Sequence, residues 1–247
     1  MRFKNKVIIV TGASTGIGRA TAIAFGKEGA TVILGARSLK GLMETKKKVN
    51  EAGGKTEVIT VDLTDEKRLH SFIKEIKENH KQIDALVNIA GIWHGKDEVY
   101  AGRDYETFDQ KVIVDTYMVG TISPSLLAHA FIPLMPKGSA IMNLSGTFES
   151  GAKGWLPYYV SKRAIEDLTV GLAEELKDKG IQVNGISPSD TATDAYKHYF
   201  PQYIKDAIEP EEIAKFVVYL CSDEAKDITG KIYVLKKGKE PFEAFHF

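Results

Sequence analysis

Seven short apolar runs punctuate the chain: VIIV (7–10), TVILG (31–35), EVITV (57–61), ALVNI (85–89), AIMNL (140–144), IQVNGI (181–186) and KIYVL (231–235). They are continuous rather than alternating, the pattern of strands covered on both faces. Amphipathic stretches lie between them. Leu69, Phe72, Ile73 and Ile76 repeat at helical spacing behind Asp65 and Glu66, which suit a first helical turn. Ile213, Phe216, Val217 and Leu220 repeat behind Pro210, a favoured first helical residue. Strand and helix in repeated alternation predict an α/β fold, a doubly wound parallel seven-stranded sheet with right-handed crossovers. No low-complexity stretch divides residues 1–247, which places them in a single domain.

Charge and cysteine usage narrow the function. Lys plus Arg and Asp plus Glu both number 33, for a formal net charge of zero. That removes any global attraction to nucleic acid or to an anionic membrane. Cys221 is the single cysteine, so an internal disulfide and a cysteine-rich metal site are both excluded. His70, His80, His94, His129, His198 and His246 are scattered, and no metal is expected. The first apolar run is too short for a signal core or a span, and no later stretch is expected to be long enough. The expectation is a reduced, cytoplasmic protein.

The first strand runs into TGASTGIGRA, in which Gly12, Gly16 and Gly18 precede a helix. Gly12 suits a tight turn, Gly16 a close approach to pyrophosphate, and Gly18 a contact of helix with strand. The helix N-terminus then offers free N–H groups and positive potential. Arg19 stands where a phosphate-binding P-loop would need lysine.

This loop resembles the cofactor loop of the short-chain dehydrogenase/reductase family, and the likeness continues along nearly the whole chain. DLTD (62–65), NIAG (88–91), YYVSK (158–162), NGISPSDTAT (184–193) and the last helix and strand each resemble a family motif, in family order. Ile89 replaces the second Asn of the Asn-Asn-Ala-Gly signature, and Ser189 stands where Gly is usual. The resemblance implies a Rossmann-like fold, a nicotinamide cofactor and a carbonyl or alcohol substrate. It implies cofactor contacts from Gly12, Ser14, Thr15, Gly16, Ile17 and Gly18, and from Arg37 and Ser38. Asp62 and Leu63, Asn88, Ala90 and Gly91, and Pro188, Thr191 and Thr193 complete the set with Tyr158 and Lys162. After the second strand an acid would favour a free ribose 2′-hydroxyl and an arginine a 2′-phosphate. The chain reads Gly35-Ala36-Arg37-Ser38, so NADP(H) is expected, with Ser38 as a helper.

Tyr158 and Lys162 are four residues apart and share one face of a helix that Pro157 would open. A nearby ammonium stabilises phenolate, and the phenol can then exchange a proton with a carbonyl oxygen. The resemblance assigns Tyr158 this role and gives Lys162 the nicotinamide ribose as well. Tyr159 with Arg163 is the rival pair. The family's substrate-orienting serine is expected at Ser145, thirteen residues before Tyr158, although alignment on Asn143 would put Gly146 there instead. The family's relay Asn aligns with Tyr117, whose hydroxyl is expected to stand in for it.

Residues 190–209 have the place of a substrate lid, and Tyr196, Tyr199, Phe200 and Tyr203 crowd it beside Trp93, His94 and Trp155. A flat apolar substrate and simple packing of an amphipathic helix are both open readings. Carrier-linked 3-oxoacyl reduction and general ketone reduction are both compatible with the motifs. So is a nucleotide-binding regulator without turnover, which the altered Asn position, NIAG and the tail KKGKEPFEAFHF would suit. The resemblance implies a homo-oligomer, dimer or tetramer, with Phe242, Phe245 and Phe247 lying across a partner subunit or over their own core.

Overall fold

The structure is a computed structural model that describes residues 1–148 and 152–246. Phe247 therefore lies outside the described residues. All seven apolar runs form strands: β1 (Val7–Thr11), β2 (Thr31–Ala36), β3 (Lys55–Thr60), β4 (Ala85–Asn88), β5 (Ala140–Leu144), β6 (Gln182–Pro188) and β7 (Ile232–Leu235). They pair in parallel in the order β3-β2-β1-β4-β5-β6-β7. The expected seven strands become eight among the described residues, because β8 (Phe242–Glu243) adds antiparallel to β7. Two exposed residues carry no periodicity, so the sequence offered no sign of this strand.

Alternate residues of each strand enter opposite cores, which is why the runs are continuously apolar. On β1, Ile8 and Val10 pack with Phe25 of α1 (Gly16–Lys27), Leu42 of α2 (Leu39–Glu51) and Ile213 of α8 (Pro210–Leu220). Ile9 turns to the other face, where Leu69 and Phe72 of α3 (Glu66–Asn79) meet Leu127 and Phe131 of α5 (Ser123–Phe131). Asp65 caps α3 by accepting from the Arg68 N–H. Pro210 opens α8 behind a capping box between Glu209 and Glu212.

The helix α4 (Gln110–Tyr117) passes through a π-helical turn at Met118–Ile122 into α5. The whole run Gln110–Leu134 is 25 residues long with mean hydropathy reaching 1.2. This corrects the expectation that no later stretch has the length of a span. Its apolarity has a cause within the fold, since Val119, Leu127 and Phe131 are core residues.

Residues 190–208 leave the end of β6 and return to it. Ile208 donates its N–H to the Asp190 carbonyl, and Ala192 donates to the Ile208 carbonyl, so the base is stitched shut. The excursion carries α7 (Asp194–Tyr199) and a 3₁₀ turn at Pro201–Asp206. Tyr158 and Lys162 lie on α6 (Leu156–Leu176), which packs on β5, β6 and α4.

Candidate active site

The β1–α1 loop is shaped by contacts only glycine tolerates. Gly12 and Gly16 sit at φ +69° and +49°. A Cβ on Gly12 would lie 2.9 Å from the Ala90 nitrogen, and one on Gly18 would lie 2.2 Å from the Gly12 carbonyl oxygen. The loop thus folds back on itself and against the end of β4. The Thr11 hydroxyl fixes that junction by accepting the Ile89 N–H at 3.2 Å. Thr15 occupies the N-cap of α1 without a side-chain capping bond, which leaves first-turn N–H groups directed outward. Arg19 braces this loop, with its guanidinium on the Ser14 carbonyl, Thr45 and Glu44.

The loop opens one end of a cavity of about 440 Å³, lined by Gly12, Ser14, Thr15, Gly16, Ile17 and Gly18. Arg37 and Ser38 follow β2 on its rim, and Asp62 and Leu63 follow β3. The Ser38 hydroxyl accepts the Gly41 N–H and caps α2, which leaves its own hydrogen free to donate outward. Burial works to raise the Asp62 carboxyl, but hydrogen bonds from the Thr64 N–H and hydroxyl outweigh it. With Arg37 and Lys111 nearby, they hold Asp62 below the usual carboxylate range.

Ala90 and Gly91 line the middle of the cavity, and Tyr158, Lys162 and Thr193 its far end. Lys162 is only 1% exposed, and its Nζ donates to the Leu144 carbonyl at 2.6 Å. Burial pulls the amine down to about 8, while Glu166 works the other way. The Lys162 Nζ lies 5.3 Å from the centre of the Tyr158 ring. Burial pushes the Tyr158 phenol up, so it holds its proton. A Cβ on Gly91 would sit 3.5 Å from the Lys162 Nζ, so glycine there keeps the pair open to the cavity. Tyr159 points elsewhere: its ring lies under the Arg163 guanidinium at 5.0 Å and against Phe148 at 5.2 Å. Only Tyr158 of the two tyrosines reaches the cavity.

Several expected residues take other positions. Asn88 lies behind the lining, donating to Asn143 Oδ1, while Asn143 donates to Thr169 of α6. It ties β4 to β5 and, through Asn143, to α6. Pro188 ends β6, and Thr191 bridges to Ile208 at the base of the excursion; neither lines the cavity. Ser145 departs from its expected role. Its hydroxyl donates to Glu166 Oε1 at 2.6 Å and lies 3.0 Å from the Lys162 carbonyl, and Ser145 is not among the residues lining the cavity. Asn143 faces α6, and two residues on Ser145 must face it too. Tyr117 is half-buried beside Tyr105 and is not among the residues that line the cavity. Leu144 and Val119 line the cavity without having been signalled by sequence, Leu144 because its part is played by a backbone carbonyl.

Above this end lies an aromatic cluster. Phe200 packs on Trp93, Trp155 and Tyr196, with centroids 6.2, 6.1 and 5.2 Å away. The Tyr199 hydroxyl donates to the Lys96 carbonyl at 3.3 Å, which latches the excursion to the loop after β4. Trp93 and His94 of that loop line the cavity.

The strand order, the glycine loop and the Tyr158–Lys162 pair at one cavity define a nicotinamide-dependent oxidoreductase. The family profile described as enoyl-(acyl carrier protein) reductase matches residues 12–240. A 3-oxoacyl-[acyl-carrier-protein] reductase of Thermotoga maritima is 28% identical over 96% of this chain and 99% of its own length. A 3beta-hydroxysteroid dehydrogenase of Mediterraneibacter gnavus is 30% identical over 94% of this chain and 93% of its own. The solved structure of LugOII, a promiscuous reductase of keto-reduction at C1 in lugdunomycin biosynthesis, superposes with a TM-score of 0.85 at 27% identity, covering 95% and 97% of the two chains. The chain belongs to the short-chain dehydrogenase/reductase family.

Proposed function

We propose that this protein is an NADP(H)-dependent reductase of small carbonyl compounds, with Tyr158 as general acid and base. The observation that carries the reading is that one cavity opens on the glycine loop and Arg37 at one end and on Tyr158 and Lys162 at the other. The residues fit a dinucleotide. Glycines at 12, 16 and 18 leave backbone where side chains would fill the groove, and no carboxylate stands beside Arg37 at the end of β2. The Gly12–Gly18 loop would hold the pyrophosphate, Asp62 the adenine and Lys162 the nicotinamide ribose. When bound, the nicotinamide supplies or accepts the hydride.

Protein groups handle the proton. A buried phenol that keeps its proton is the form needed for donation to a carbonyl oxygen as hydride arrives. An ammonium has three donors, and Leu144 takes one, which leaves two for ribose hydroxyls. Its positive charge also eases the phenolate left behind. On the substrate side, the excursion at 190–208 acts as a lid, and its aromatic cluster suits a flat apolar ketone. The relatives act in keeping with this, being a 3-oxoacyl reductase and a 3beta-hydroxysteroid dehydrogenase by name. NADPH oxidation across a panel of aryl ketones, steroid ketones and quinones tests the reading. Cofactor binding with no turnover on any member would replace it by a nucleotide-binding regulator.

Two expected outcomes follow from particular residues. Arg37→Ala removes a charge-assisted pair worth about 1.5–3 kcal/mol, so kcat/KM for NADPH should fall about ten- to a hundredfold while NADH is unaffected. Equal efficiency of the parent with both cofactors would contradict the NADP(H) preference. Gly146 stands where the aligned family motif has its serine, and a Cβ there has its nearest neighbour, the Phe148 ring, at 3.7 Å. Gly146→Ser should therefore fit and raise kcat at least about tenfold by supplying a hydroxyl to the substrate oxygen. An unchanged kcat would mean that another group already orients the carbonyl.

A further inference from the structure

The catalytic helix carries a carboxylate the mechanism above does not use. Glu166 lies one turn beyond Lys162 and is fully buried. An ion taken out of water survives only where charge and hydrogen bonds replace hydration. Among the described residues Glu166 has three such partners. Arg163 of the same helix is 3.3 Å from Oε2. The Ser145 hydroxyl, from the end of β5, donates to Oε1 at 2.6 Å. The third is the His246 N–H, which donates to Oε2 at 2.8 Å from the far end of the chain.

The path of the tail explains how that last donor arrives. β8 pairs with β7 through Tyr233–Glu243 and Val234–Phe242, and Lys231 holds Glu243 at 2.8 Å. The Ala244 N–H then bonds the Ile232 carbonyl, and the chain turns onto α6. There the His246 ring meets Asp167 at 3.2 Å and stacks on Phe245. The residues KKGKEPFEAFHF thus lead to a backbone donor on a buried acid one helical turn from Lys162. The Ser145 hydroxyl touches both Glu166 and the Lys162 carbonyl, so the same acid ties the catalytic turn to β5.

We propose that Glu166 is a positioning residue for the Tyr158–Lys162 pair, held in register by Ser145 and completed by the chain's own C-terminal tail. The proposal rests on the oxidoreductase reading of that pair. Among the described residues, the charged and polar groups facing Glu166 are Lys162, Arg163, Ser145 and the His246 N–H, with Asp167 beside them engaged by the His246 ring. Of these, Lys162 is the one placed to report the loss of a negative charge, because Glu166 favours its protonated form.

The test uses Glu166→Gln, and a second variant ending at Ala244 that keeps Glu166 but removes its tail donor. Two readouts are taken: kcat against pH with NADPH and a ketone the parent turns over, and an NMR pH titration of the Lys162 side-chain nitrogen, assigned with Lys162→Arg. Glu166→Gln should move the Lys162 titration and the alkaline limb of kcat to lower pH. It should also lower kcat near neutrality by up to about a hundredfold through misplacement of the pair. The truncated chain should shift in the same direction by less, since water then screens a charge that remains. A purely structural role would lower the melting temperature without moving either titration. Superimposable Lys162 titrations in the parent and in whichever variants fold would overturn the proposal. If the parent turns over no carbonyl at all, the oxidoreductase reading fails, and the NMR titration still decides whether Glu166 and the tail act on Lys162.

Discussion

Tyr158→Phe should bind NADPH as the parent does and lose at least about a hundredfold, and up to about ten-thousandfold, in kcat. The substitution removes one oxygen and nothing else. That oxygen has no hydrogen-bond partner among the described residues, so its loss orphans no group among them. The ring can keep its edge contact with Phe148 at 5.8 Å and its place beside Trp155. What disappears is the proton that burial keeps on the phenol. Tyr159→Phe is the matched control. Its ring lies against Arg163 and Phe148 outside the cavity, and its variant should keep most of the turnover. Steady-state NADPH oxidation together with a fluorescence titration of cofactor binding separates the two. A Tyr159→Phe variant that dies while Tyr158→Phe survives would transfer the chemistry to the rival pair.

The parts of this site that the sequence declared are those in which residue type follows from backbone geometry. Gly12 and Gly16 have positive φ, and Gly18 has a carbonyl 2.2 Å from where its Cβ would be; almost no other residue can stand in such places. The pairing of Tyr158 with Lys162 was legible for a similar reason, since a four-residue interval on a helix puts both on one face. The seven long strands were legible because burial on both faces demands uninterrupted apolar runs.

What the sequence misplaced depends on direction rather than identity. Ser145 was assigned by its distance from Tyr158, but past β5 the deciding quantity is parity. Asn143 reaches Thr169 on α6, and Ser145, two residues on, reaches Glu166 on the same helix. A one-residue shift in alignment moves a strand side chain to the opposite face. Tyr117 ends α4 where it gives way to the π-helical turn at Met118–Ile122, and it does not line the cavity. No residue type announces such a turn, so the surroundings of a side chain next to it were not legible. The β8 strand and the reach of His246 to Glu166 were invisible for a third reason. Both depend on where a tail lands after the fold is built.

Lys162→Met should abolish most turnover and yet make the protein more stable at neutral pH. The folded chain lowers this amine from 10.5 to about 8 through burial, with Glu166 only partly opposing the change. Between those two pH values the unfolded chain binds more protons than the folded one, so stability rises with pH across that window. Below about 8 the charged form is buried and its full cost, roughly 3 kcal/mol, falls on the folded state. Methionine fills a similar volume without that charge. The gain is reduced because the Leu144 carbonyl loses its donor at 2.6 Å, a loss of about 1–2 kcal/mol. Glu166 keeps Arg163, Ser145 and the His246 N–H. A net stabilisation of about 1–2 kcal/mol should raise the melting temperature by roughly 3–6 °C in a domain of this size. Thermal unfolding of parent and variant from pH 7 to pH 10 reads the effect. The difference should be largest at pH 7 and shrink as the parent's lysine loses its proton, while kcat at pH 7 is down at least about a hundredfold. A variant less stable than the parent at pH 7, or a difference that does not change with pH, would mean that Lys162 is kept for packing; a stability gained as function is lost would mark it as a residue retained for chemistry against the interest of the fold.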